Sequence, residues 1–447
     1  MIALLLCAIA AFAAYYFGRR SLVGGCLVVA AVGYAYGILR ANLISPFSFF
    51  IFDSAIVGLY ASQFLSPPKD GAGTPPNPAM KLWLTLLIGW PLLLLFLPFQ
   101  PFLVSIVGLR GNMFLLPLLL LGSRFRSIDL YRLAMGLAVL NIFALTFAVA
   151  EYFRGIEPFF PYGPATVIMY NSLDSAHHYR IPSIFSSGHA YAATLVATIP
   201  FLFGAWAQKF GSRKEKLMLL LGLGSALFGV LLASTRSNLI MAGLLMVIAI
   251  LSGKVTPMKR LLIATAVAAV IIAAMSNERF QRYKELDSDT VTDRIAGSVN
   301  RSFWEILAQY PMGNGLGGGG TSIPYFLASQ VNHPIGLENE YSRILLEQGL
   351  IGLIMWVAFV LWFLTNRAAF VKDAWATGRK MAWFYSGIGL VSASLGVGLL
   401  TAIPSSFLFL LIMGWVSSKP RAELPAIAPP YRARRLAPRT VTVEVLR

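Results

Sequence analysis

The chain has 447 residues, 57% of them hydrophobic and only 12% charged, with a mean hydropathy of +0.70. Soluble chains carry about 25% charged residues, so a soluble globular protein is excluded, and strands alternating apolar with polar residues, the mark of a membrane barrel, are absent. The net charge of +17 would suit nucleic acid, but its placement along the chain argues against that partner.

Apolar runs close to the ~20 residues that cross a bilayer recur along the whole length. In chain order they fall at roughly 2–18, 21–39, 43–65, 82–99, 101–122, 129–151, 189–207, 217–234, 237–252, 261–276, 341–366, 382–401 and 403–418. They predict an all-α polytopic membrane protein of about twelve to thirteen transmembrane helices. The first run has no positive residues before it and is followed by Arg19 and Arg20, so it reads as a retained helix with its N-terminus outside. In that orientation 25 of the 36 Lys and Arg lie on the cytoplasmic side, the positive-inside asymmetry of an inner-membrane protein. Cys7 and Cys26 sit within apolar helices as small packing residues.

The expected organisation is helices 1–6 over 1–151, a first external loop at 152–188, helices 7–10 over 189–276, a large external loop at 277–340, the last helices over 341–418, and a basic tail at 419–447. "PPKDGAGTPPNPAMK" at 67–81 reads as a Pro/Gly linker. The tail is rich in proline and basic residues and reads as disordered beside an anionic leaflet. No fixed-period repeat supports an inverted-repeat transporter.

The two long loops hold or border all four histidines, His177, His178, His189 and His333, which places the chemistry at the outer face. Arg180 precedes the seventh helix in "HHYRIPSIFSSGHAYA", where Ser186, Ser187 and Gly188 are placed to cap the helix and leave an anion site. Arg236, in "LLASTRSNLIMAG", sits at a tight joint between two helices. It is either a snorkelling interfacial arginine or a phosphate ligand beside the hydroxyls of Thr235 and Ser237.

In "RIAGSVNRSFWEILAQYPMGNGLGGGG", Ile295, Val299, Phe303, Ile306 and Leu307 share one face beside Arg294 and Arg301, predicting an amphipathic surface helix. The formal GxGxxG at Gly313, Gly315 and Gly318 follows no strand and precedes no Gly-Lys-Ser/Thr, so it is not a nucleotide loop. It reads as a flexible loop or lid. "DSD" at Asp287–Asp289 resembles the metal-binding DxD of nucleotide-sugar transferases but sits in an ordinary acidic loop, "KELDSDTVTD", and the spacing of the histidines matches no familiar metal site.

"GLENEYSRILLEQGLIGLI" then carries Glu338, Glu340, Arg343 and Glu347 into an apolar helix. The helix dipole accounts for the first carboxylates. The i,i+4 pair Arg343 and Glu347 continues a polar face into the membrane, where ionisable groups imply function. An outward-opening cavity lined by arginines and a carboxylate is expected: arginines to stabilise a phosphate leaving group, a carboxylate to take a proton from an attacking hydroxyl.

The blocks "LLASTRSNLIMAGLLMVIAIL", "NRSFWEILAQYPMGNGLG" and "ENEYSRILLEQGLIGLI" together resemble the O-antigen ligase and Wzy-type polymerase superfamily, most specifically over residues 217–355. The resemblance implies a GT-C-like inner-membrane glycosyltransferase with two long periplasmic loops, acting on glycans linked to undecaprenyl pyrophosphate, without metal or other cofactor. It further implies that Arg236 engages the donor pyrophosphate and that Arg301, in an Arg-x-x-Trp block with Trp304, reaches the same site. Glu338, followed by Asn339, stands where lipid A-core ligases have a histidine, and His333 is five residues earlier.

The expected activity is therefore metal-independent, inverting polymerisation of lipid-linked repeat units into O-antigen or exopolysaccharide on the periplasmic face. Glu338 is the expected base, with Arg236 and Arg301 as catalytic arginines; Arg180, Arg294, Arg343, Asn339, His333 and Trp304 are the expected substrate contacts. The partners are lipid-linked donor and acceptor glycans, the bilayer and a chain-length-regulating membrane protein, with no nucleic acid. A ligase moving finished glycan to lipid A-core or another acceptor stays open, as does, from another class, a lipid-linked glycan transporter using Asp53, Glu151 and Arg236.

Overall fold

The computed structural model of the chain describes residues 1–65, 77–171, 179–209, 211–252, 302–319, 323–335, 337, 339–371, 373–394, 396 and 398–419, with isolated positions between 258 and 272. Its described residues form helices and connecting turns, with no strand among them. Eight helical stretches there are long and apolar enough to cross a membrane: 2–20, 22–42, 46–65, 102–122, 127–154, 188–206, 213–232 and 340–365. Shorter apolar helices span 78–94, 236–251 and 405–417. The all-α polytopic expectation holds. The expected span at 261–276, the Asp287–Asp289 run and the tail from 420 lie, isolated positions apart, outside the described residues.

The helices are α1 (Ile2–Arg20), α2 (Leu22–Asn42), α3 (Ile51–Tyr60), α4 (Pro78–Leu94), α5 (Phe102–Met113), α6 (Leu118–Gly122), α7 (Ser127–Arg154), α8 (Val167–Tyr170), α9 (Gly188–Trp206), α10 (Arg213–Leu232), α11 (Arg236–Leu251), α12 (Ser302–Gln309), α13 (Glu340–Thr365), α14 (Ala376–Ser392) and α15 (Ser405–Ser417). Many starts are written in the sequence. Ser21, Asn77, Ser187 and Asn339 each accept a backbone N–H of the following first turn, and Ser212 with Glu215 forms a capping box on α10, satisfying donors that a helix start leaves open.

α9 and α15 are enclosed nearly all round, as helices apolar on every face must be; Phe201 and Trp415 stack between them with centroids 5.5 Å apart. α1 is the opposite case, mostly exposed. Cys7 and Cys26 are buried, as expected of packing residues. Within the bundle, Tyr34 of α2 donates to Asn141 of α7 at 2.6 Å, and Asn141 donates to Thr198 of α9 at 2.8 Å. Polar side chains inside a membrane bundle are satisfied across helices in this way.

One boundary departs from expectation. The penultimate helix runs 376–392, not 382–401, and the described residues from there to Pro404 are non-helical. Hydropathy alone could not see that this stretch supplies backbone groups to α13.

At one end of the bundle the connections after α2, α4 and α14 meet the segment leading into α13 or its first turn, and that after α7 meets the end of α2. Asn42 reaches the Phe159 carbonyl and Arg40 the Ala165 carbonyl. Gln100 reaches Asn314 and Asn332, and Glu340 N–H donates to Ala393. This loop-rich end holds the candidate site.

Candidate active site at the loop-rich end

The first turns of α13 form a closed ionic network. Arg343 is fully buried. Its Nε and Nη2 donate to Glu340 Oε1 at 2.9 and 2.6 Å, and its Nη1 donates to Glu347 Oε2 at 2.8 Å and to Asn112 Oδ1 at 3.0 Å. Asn112, from α5, donates to Glu347 at 2.6 Å and accepts from Gln348 at 2.8 Å. Glu340 Oε2 accepts the Gly398 N–H at 2.9 Å. Charges out of water are held only with such geometry and hydrogen bonding. The network ties α13 to α5 and to the 393–404 stretch. Arg343, expected to touch substrate in an open cavity, is instead sealed inside the protein, and its nitrogens are occupied by protein acceptors.

The glycine-rich run is likewise a correction. Residues 313–319 are buried and packed against α5 and α13, where a flexible loop or lid was expected. α13 is broken at Gly349, which adopts φ 70°, ψ −175°, a conformation essentially restricted to glycine. The broken ladder is repaired from outside: Leu350 N–H donates to Pro311, Asn314 N–H to Leu346, and Trp90 Nε1 to the Gln348 carbonyl. The run "PMGNG" is the second half of a helix kink, because freed backbone groups inside a membrane protein must find partners.

A second cluster surrounds residues 180–189. Glu151, fully buried at the end of α7, accepts the Ser183 N–H at 2.8 Å, and Ser183 Oγ donates to Ala144 at 2.7 Å. Ile38 of α2 donates its N–H to Ile184. So anchored, the segment sets the Ser187 cap of α9 and presents Arg180, whose guanidinium contacts the His189 ring. An ideal Cβ at Gly188 would lie 3.0 Å from Arg180 Cβ and 3.3 Å from the Ala233 carbonyl. Gly188 thus lets Arg180 and the turn leading into Arg236 flank one point. Both arginines are partly exposed. Thr235 is buried, so its hydroxyl does not stand beside Arg236 as an open ligand, whereas Ser237 is exposed.

Of the remaining expected residues, Asn339 is buried and caps α13 through Ser342 N–H at 2.6 Å. His333 is exposed at φ 48° on a turn held by Asn314 and Gln100. Trp304 is 62% exposed on α12, while Ile306 of the same helix packs with Leu345 and Leu346 of α13. Glu338, Arg301, Arg294, His177 and His178 lie outside the described residues. Among the described residues no group of three His, Cys, Asp or Glu is placed to hold a metal ion.

Sequence reasoning missed a third feature. Arg110 of α5 forms a two-point pair with Asp53 of α3, at 2.6 and 3.0 Å. With Arg40 and Tyr36 of α2, Ser186, Pro324 and Thr401, the pair lines a cavity of about 180 Å³. Each charge lies alone in a separate apolar run, so no local spacing announces the meeting.

The fold defines a polytopic α-helical membrane protein with a polar, arginine-bearing site at one end. Residues 217–357 match the family described as O-antigen ligase. The chain is thereby similar to members of the O-antigen ligase/polymerase superfamily, glycosyl-transferring membrane enzymes, over the region that includes Arg236 and the α13 network. No curated protein matches the chain.

Proposed function

We propose that the protein is a glycosyltransferase of the bacterial inner membrane that polymerises undecaprenyl-pyrophosphate-linked oligosaccharide units at its periplasmic, loop-rich end. The observation that carries this reading is the close approach at Gly188 of Arg180 and the Ala233 carbonyl, three residues before Arg236, with Arg236 inside the O-antigen ligase match. Arg236, Arg180 and Arg301 take up the charge on the leaving pyrophosphate, for which the planar guanidinium fork is suited. Glu338 accepts the proton of the acceptor hydroxyl as its oxygen attacks the anomeric carbon of the donor. The bond from that carbon to pyrophosphate breaks on the opposite side, inverting the centre. Asn339 and Arg343 hold the chain beside Glu338, and Trp304, Arg294 and His333 form the surface along which the glycan lies.

A second reading has its own observation. His333 is exposed on a clamped turn close in sequence to Glu338, which favours a ligase that moves finished glycan to lipid A-core or another acceptor, with His333 as base. The glycans of a deletion strain separate the two. Loss of a polymerase leaves single units on the lipid, whereas loss of a ligase leaves long chains that are never attached. The transporter reading has less support: Asp53 and Glu151 are each engaged by protein donors at the loop-rich end and do not mark a path through the bundle.

A further inference from the structure

The cavity between α2, α3 and α5 is not needed by the donor site, and it is built. Asp53 occupies Nε and Nη2 of Arg110, leaving Nη1 with no protein acceptor among the described residues. Arg40 donates to the Ala165 carbonyl at 3.1 Å, and its guanidinium carbon lies 5.1 Å from the Phe49 ring centre and 5.5 Å from that of Tyr36. No carboxylate pairs with Arg40 among the described residues. Two guanidiniums against one carboxylate leave a single positive charge facing a half-open, partly aromatic space, so the missing counter-charge is one anion.

We infer that this cavity binds an acidic sugar of the glycan: one pyranose ring bearing a carboxylate or a phosphate ester, its anion on Arg40 and Arg110 and its ring against Phe49 and Tyr36. The volume, about 180 Å³, is below the ~300–1,000 Å³ typical of larger ligands and fits one ring or one anion, not an oligosaccharide. A lipid pyrophosphate needs room for a glycan on one side and a prenyl chain on the other, which a space of one ring does not give. Pro324 comes from the connection between α12 and α13, and Thr401 from that between α14 and α15, so the pocket is roofed by the loops along which a glycan would lie. The inference rests on the glycosyl-transfer reading only in naming the anion as a sugar's.

The test is binding without turnover, by saturation-transfer difference NMR on the purified chain in detergent. The probes are methyl glucuronide, glucose 6-phosphate, methyl glucoside, inorganic phosphate and inorganic pyrophosphate. Either acidic sugar should bind at least about tenfold more tightly than methyl glucoside, the worth of one charge-assisted hydrogen bond. Arg40→Gln should abolish that preference, Arg40→Lys should retain part of it, and Arg236→Ala should leave it intact. Should Arg40→Gln melt early, competition on the wild-type chain decides alone: the acidic sugars displace each other and methyl glucoside does not displace them.

Equal binding of methyl glucoside, or loss of binding in Arg236→Ala but not in Arg40→Gln, overturns the inference. Tighter binding of inorganic pyrophosphate than of either acidic sugar also overturns it, since the site then belongs to the lipid. A chain that selects acidic sugars but transfers no glycan keeps this site and loses the transferase reading. One that transfers glycan with no charge preference loses this site alone.

Discussion

The mouth of α13 and the cavity between α2, α3 and α5 lie at the same end of the bundle and use the same residue types. Around Arg343, two carboxylates and the Asn112 side chain occupy the guanidinium, and no surface remains. Around Arg40, the protein supplies a carbonyl, two ring faces and an opening. An ionisable residue in a membrane protein is a functional signal by default. The contrast divides that signal: a charge whose hydrogen bonds are all answered by protein holds the architecture, and a charge left partly unanswered beside a cavity waits for a ligand.

The largest expected effect breaks the closed side. Arg343→Leu leaves Glu340 and Glu347 buried without their cation and should cost about 3–5 kcal/mol, read as a large fall in thermal unfolding temperature or failure to recover folded protein in detergent. An unchanged melt would place Arg343 with the open charges after all. Arg236→Ala should do the reverse. Transfer falls by about 10²–10³, the size of one lost transition-state donor, while the melting curve stays where it was, within the ±0.5 kcal/mol usual for surface substitutions.

Gly349→Ala sharpens the comparison from the backbone side. Its added Cβ would lie 2.6 Å from the Met312 carbonyl carbon, at a φ that alanine avoids. A loss of about 1–3 kcal/mol in unfolding free energy is expected. Smallest is Tyr34→Phe, which lines neither site and removes one interhelical hydrogen bond to Asn141. It should cost about 0.6 kcal/mol, typical for such bonds within a bilayer, and leave activity unchanged in the same transfer assay.

The fold was legible because apolar runs and capping residues are local: Ser187 before α9, or Ser212 with Glu215 before α10, announces a helix start without reference to the rest of the chain. The end of α14 was not legible, since residues 393–404 are as apolar as a span, and the contacts that Ala393 and Gly398 make with Glu340 through their backbones exist only in the folded chain. The glycine run misled for a similar reason. Its composition suits a mobile lid, yet its partners are the Leu346 carbonyl and the Leu350 N–H on either side of a kink that only the folded helix creates. Of the site, Arg180 and Arg236 were visible as arginines at helix joints. Arg40 and Arg110 were not, and Asp53 stood out only as a lone charge in an apolar run, because a pair 57 positions apart, in two apolar runs, has no signature before the helices pack.

The most direct test of the transferase reading uses the purified chain, EDTA, and a single lipid-linked repeat unit as donor and acceptor, with products resolved by length on a gel. The expected result is a ladder from the wild-type chain, lost in both Arg236→Ala and Glu338→Gln although both variants remain folded. A ladder that survives Arg236→Ala at full length and rate would contradict the assignment of the pyrophosphate to this cluster.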